Sequence, residues 1–145
     1  MKSKINKIAG LLFTSFVMIT LFTSCTDDNS NDNNISKIVS EGKWSVTNFQ
    51  EDGVDQTDHF SGYNFTFQDD GTIIATNGTT THTGTWSKGT DDSTPKFYIT
   101  FSTTSGPFEE ITEDWAILSY SSSKIDLKHV SGGDGSVDLL VFTKM

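Results

Sequence analysis

From Gly42 onward, apolar side chains recur at every second position in short runs, and turn-forming residues end each run. A period of two is the repeat of a strand with one buried face, and it leaves no stretch for a long helix. Tyr63, Phe65 and Phe67 alternate with Asn64, Thr66 and Gln68. Asp69-Asp70-Gly71 then marks a tight hairpin, because glycine accepts the positive φ such turns require. Further strands are expected at residues 72–76, 79–87 with Trp86, and 97–101, where Phe97, Ile99 and Phe101 share a face. Residues 113–120 carry Trp115, Ile117 and Leu118, and Ile125 and Leu127 alternate with Asp126 and Lys128. The glycine-rich stretch 131–136 turns the chain into a last strand at 137–144. Pro95 and Pro107 fall between these strands, where a missing N–H costs nothing.

With a first strand at residues 43–50, the count reaches eight. Short connections favour antiparallel neighbours, and eight such strands in one domain predict an all-β, up-and-down barrel with no exposed edge. Its interior is just wide enough to be filled by side chains or to hold one small ligand. If the alternation is read in this register, the inward set includes Tyr63, Phe65, Phe67, Phe97, Ile99, Phe101, Trp115 and Ile117. A slip by one residue would turn them all outward. The irregular stretch 51–62 is expected to form a loop or one helical turn that closes an end of the barrel.

The other end of the chain carries an address. Lys2, Lys4 and Lys7 precede an uncharged apolar run from Ile8 to Phe22, then Thr23, Ser24 and the sole cysteine, Cys25. The run is too short for a comfortable transmembrane helix, which needs ~20 residues. It reads as a signal peptide, residues 1–24, ending at a lipidation site. Leu21-Phe22-Thr23-Ser24-Cys25 resembles a bacterial lipobox, and Asp27 and Asp28 after it resemble the export signal of Bacteroidetes surface lipoproteins. Residues 25–37, polar and free of aromatics, read as a lipidated flexible tether, and 38–145 as the barrel domain.

The mature part would keep seven of the ten lysines against all 19 acidic residues, a formal charge of −12, and the chain has no arginine. Such a balance excludes a basic face for nucleic acid. With Cys25 acylated by chains such as palmitate, no disulfide can form within the chain, so the apolar core must supply the stability.

Gly42-Lys43-Trp44 at the first strand resembles the Gly-x-Trp start of lipocalins. Phe65-x-Phe67 before Asp70-Gly71-Thr72, then Gly84-Thr85-Trp86, Trp115-x-Ile117 and the alternating Ile125 and Leu127 look like the lipocalin-like lipoproteins of Bacteroidetes. The likeness implies a barrel that binds a small apolar molecule. The Thr-Asp-Tyr signature of that family is absent, and so is the late arginine that covers its first-strand tryptophan. Lys144 is placed to stand over Trp44 in its stead, as a cation–π contact.

No Gly-x-Ser-x-Gly occurs. His59, His82 and His129 lie at spacings that match no compact metal motif. Asp52, Asp55 and Asp58, three apart, would line one side of a helical turn and read as a solvated face. Glu109, Glu110, Glu113 and Asp114 cluster at the start of one strand, whereas glycosidase chemistry needs carboxylates on opposing walls. The expectation is therefore a monomeric lipoprotein of the outer membrane or cell surface, not an enzyme, with no cofactor and no metal. Its barrel would bind a small apolar or amphipathic ligand without catalysis. The alternative is a structural or protein- or glycan-interaction module whose barrel is filled.

Overall fold

The computed structural model describes residues 30–103 and 105–145, with side chains from Asn34 onward. The signal segment and the lipidation site Cys25 lie outside the described residues. The strands are β1 (Trp44–Glu51), β2 (Val54–Asp55), β3 (Asn64–Phe67), β4 (Thr72–Thr76), β5 (Thr81–Asp91), β6 (Thr94–Phe101), β7 (Asp114–Tyr120), β8 (Lys124–Val130) and β9 (Val137–Lys144). A helix α1 (Ser30–Ser40) precedes them, a 3-10 turn (Thr57–Phe60) follows β2, and a one-turn helix α2 (Pro107–Glu110) lies between β6 and β7.

Every sheet pairing among the described residues is antiparallel, and each strand from β3 to β8 pairs with the next. β9 returns to β1 in a ladder from Trp44↔Lys144 to Gln50↔Leu139, so eight strands close into a barrel and the two-residue β2 hangs on the end of β1. The weak place in the wall is between β1 and β3, which share only the pair Trp44↔Phe65. The segment 51–63 covers that seam. Its 3-10 turn drives Phe60 into the core, the end-closing role anticipated for it.

Turn chemistry fixes the hairpins. Gly71 adopts φ +85°, and the Asp70 carboxylate accepts from the Thr72 N–H at 2.9 Å. Asn77 Oδ1 accepts from the Thr79 and Thr80 N–H groups at 3.1 and 2.8 Å. Asp92 and Ser93, at φ 43° and 66°, form the two-residue turn that matches strand twist. The hairpin they close is longer than expected. β5 runs on to Asp91 and β6 begins at Thr94, so Pro95 lies inside a strand, opposite Thr90, and not between strands. It is tolerated there because β6 pairs with β7 only from Lys96 to Tyr98, and beyond Lys96 no ladder needs the missing N–H. Pro107 does lie between strands, at the start of α2.

The second difference concerns the proposed tether. Part of it is helical: α1 carries Ile35 and Val39, both buried, with Ile38 packed beside them. Positions i, i+3 and i+4 give a narrow apolar stripe within an otherwise polar run, enough to dock the helix across the end of the barrel where β1 starts.

Candidate functional site

The strands run alternately, so each end of the barrel collects particular connections. The base gathers α1, the start of β1, the end of β9 and the β3–β4, β5–β6 and β7–β8 turns. The rim gathers the 51–63 segment, α2 and the β4–β5 and β8–β9 turns.

Of the eight side chains expected to face inward, Phe65, Phe67, Phe97, Ile99, Phe101 and Trp115 belong to the buried core cluster, and Tyr63 and Ile117 are partly buried against it. The register of the alternation is therefore as anticipated. What the rings face is each other. Phe142 of β9 meets Phe65 and Phe67 of β3 with ring centroids at 5.2 and 5.4 Å. Phe67 meets Phe97 of β6 at 5.6 Å, and Phe97 stacks on Trp86 at 5.5 Å. Strands on different sides of the barrel thus touch through its middle.

Phe108 from α2 plugs the rim. Its ring contacts Phe60 at 5.5 Å, Tyr63 at 5.1 Å and Phe101 at 4.9 Å, and His82 stacks on it at 4.0 Å. The three tryptophans are core anchors as well. Each indole N–H donates to a backbone carbonyl: Trp44 to Val39 at 2.9 Å, Trp86 to Gln68 at 2.9 Å and Trp115 to Ile111 at 3.1 Å. Lys144 Nζ stands 5.6 Å from the Trp44 ring centroid, the cation–π contact expected in place of an arginine. At the wall seam a surface cleft of about 330 Å³ opens beside Asp58, Ser61, Gly62 and Tyr63, outside the packed middle.

Ionisable groups gather on the rim. Burial raises the Glu51 carboxyl above the ordinary glutamate range, and the negative charges of Glu110, Asp138 and Asp52 push it the same way. Asp138 also accepts from the Asp52 N–H at 2.9 Å. The row of Asp52, Asp55 and Asp58 does not form. Asp52 occupies the tip of the β1–β2 turn at φ 51°, Asp55 is in β2 and accepts from the Thr57 N–H, and only Asp58 is in the 3-10 turn.

The histidines stay apart, and each has a different setting. His59 Nδ1 is 4.0 Å from Glu110 Oε2, and His82 packs on Phe108. His129 Nδ1 lies 3.2 Å from Asp114 Oδ1 and 3.7 Å from Glu113 Oε2. These three residues bring their donor atoms within 4.8 Å of one another, a grouping the sequence analysis missed. The β7–β8 register, with Ala116 opposite Lys128, sets 129 next to 115 and diagonal to 114 when carried one step further, and no linear motif could have announced it. Burial alone would raise the Asp114 carboxyl. The Lys96 ammonium, 3.0 Å from Oδ2, and the nearby His129 outweigh that and hold it below its usual range.

Neither a protein-family model nor a curated protein matches the chain. Among solved structures it is similar to a DUF4847 family protein from Bacteroides vulgatus ATCC 8482, at 18% identity over 75% of this chain and 96% of that one, with a TM-score of 0.52. At that identity the likeness speaks for the shared barrel fold alone.

Proposed function

We propose that this protein is a lipid-anchored, non-catalytic module of a bacterial cell envelope, with a solid lipocalin-like barrel that displays its rim to partners. Ring-on-ring packing across the middle of the barrel is the observation that supports this reading. Rings of β3, β6 and β9 occupy the axis, and Phe60 and Phe108 occupy the mouth, where an apolar ligand would have to enter. The interior residues then act as scaffold, and recognition of a protein or glycan falls to the outside. Acylation at Cys25 would anchor the chain to the outer membrane. Cys25 precedes α1 by five residues, a reach of roughly 17 Å when extended. An anchor there would hold the base, where α1 lies, nearer the bilayer than the rim.

Two measurements test the proposal. Cys25→Ala should abolish incorporation of labelled fatty acid, and unchanged labelling would end the lipoprotein reading. Native mass spectrometry of protein purified from its host should show the acylated chain with no further small molecule. A co-purifying apolar compound, lost when Phe67 is enlarged to Trp, would restore the barrel interior as a binding site.

A further inference from the structure

We propose that Glu113, Asp114 and His129 form a rim site for a divalent transition metal of the zinc class. Three observations lead there. The first is spacing. Tetrahedral zinc bonds of about 2.0–2.2 Å put neighbouring ligand atoms about 3.3–3.6 Å apart. His129 Nδ1 lies 3.2 Å from Asp114 Oδ1 and 3.7 Å from Glu113 Oε2, which brackets that edge length.

The second is the state of the nitrogen. His129 Nδ1 is sealed from solvent, yet it makes no aligned hydrogen bond with either carboxylate. A buried polar atom without a partner costs free energy comparable to a lost hydrogen bond. Two carboxylate oxygens stand near it, but neither receives its N–H direction. A cation between the three atoms would satisfy the nitrogen lone pair and both oxygens together.

The third is the support around the donors. Lys96 Nζ holds the other oxygen of Asp114 at 3.0 Å and the Asp114 carbonyl at 3.2 Å. That clamp leaves Oδ1 free and aimed. The Trp115 ring packs edge-on to the imidazole, with centroids 6.0 Å apart. Such outer contacts orient metal ligands. Glu113 and Asp114 are both about half exposed, so water can complete the coordination. The two carboxylates outweigh the single Lys96 ammonium, so the pocket keeps a net negative charge for a cation, and a mixed nitrogen and oxygen set suits zinc or cobalt better than calcium or magnesium. The competing account is a protonated His129 paired ionically with the two acids, with no affinity for metal.

The test uses the full chain, purified in detergent and stripped with a chelator, then titrated with zinc by calorimetry and with cobalt by visible absorption. One zinc per chain is expected, and a cobalt d–d band. His129→Gln should weaken binding at least about 100-fold and remove the band. Glu113→Gln, a change at a half-exposed carboxylate that leaves the core untouched, should weaken it about 10-fold. His59→Gln should leave it unchanged. Absence of stoichiometric zinc uptake overturns the proposal, as does uptake that survives both His129→Gln and Glu113→Gln.

Discussion

The two ends of the barrel are closed by the same device, a short helix laid across the opening, but they differ in what surrounds it. At the base, α1 inserts Ile35 and Val39, and the Val39 carbonyl accepts the Trp44 indole N–H. The Lys144 ammonium lies over the same ring, so the polar groups at that junction are matched. At the rim, Phe60 and Phe108 close the opening with a cluster of rings, yet the polar shell around them is unbalanced. Glu110 Oε2 and His129 Nδ1 are sealed without hydrogen bonds, and Glu51 is pushed toward its protonated form by burial and then by its acidic neighbours. Matched polar groups serve stability. Unmatched ones are retained where something else completes them. The base therefore reads as the structural end, and the rim as the end where the proposed partner face and metal site lie.

The largest expected effect tests the structural half of that contrast. Trp44→Ala removes a fully buried ring together with its hydrogen bond to α1, and should cost about 3–5 kcal/mol in urea denaturation. Phe108→Ala removes a ring of comparable burial from a four-residue helix in a connection. That backbone can collapse toward the gap, so the loss should fall at or below the lower end of the same range, about 2–3 kcal/mol. If Phe108→Ala proves the more damaging, the rim is as structural as the base and the distinction fails.

A smaller effect probes how the base is assembled. Gly42 has φ +95°, and a Cβ there would come within 3.0 Å of Lys144 Cε. Gly42→Ala should cost about 1–2 kcal/mol, from the left-handed backbone and from displacing the lysine off Trp44. Lys144→Met alone should cost less, about 0.5–1 kcal/mol, the worth of an exposed cation–π contact. Equal losses in the two variants would mean that the glycine acts only through the lysine. A negligible loss for Gly42→Ala would make the Gly-x-Trp spacing incidental to the fold.

The walls of the barrel were legible because a strand with one buried face writes its register into the chain. Phe65 and Phe67, and Phe97, Ile99 and Phe101, point inward as their alternation requires. α1 was not legible, because its apolar stripe is three residues in a run of serine, asparagine and aspartate that favours turns and caps. The outer half of the β5–β6 hairpin was hidden for a related reason: it is mostly exposed, so no apolar period marks it. Whether the middle is solid depends on how side chains from distant strands mesh, a matter of volume that alternation does not encode. The Glu113, Asp114 and His129 grouping depends on one strand register, and its residues look like ordinary surface polarity until that register is known.

The smallest effect concerns pH, and it sets the two ends against each other in sign. Near the base, burial would raise Asp126, but hydrogen bonds from Lys124 at 2.6 Å and Ser119 at 2.7 Å, with the lysine charge, hold its carboxyl below the usual aspartate range. The folded state thus binds that proton more weakly than the unfolded chain does. The stabilisation is present above the ordinary aspartate pKa and is lost as pH falls through the lowered one. Glu51 on the rim behaves oppositely. Burial, then Glu110, Asp138 and Asp52, raise its carboxyl, so the folded state binds the proton more tightly. Stability falls as pH rises from the ordinary glutamate pKa through the raised one, and remains lowered at neutral pH. Glu51→Gln should therefore raise the unfolding free energy measured in urea near neutrality, by about 0.2–0.5 kcal/mol after solvent screening, with the gain vanishing in acid. Asp126→Asn should lower it near neutrality by about as much. If Glu51→Gln instead destabilises the protein near neutrality, the rim carboxylate already has a favourable partner in the folded chain, and the imbalance that marks the rim as the functional end would have to be sought in Glu110 and His129 alone.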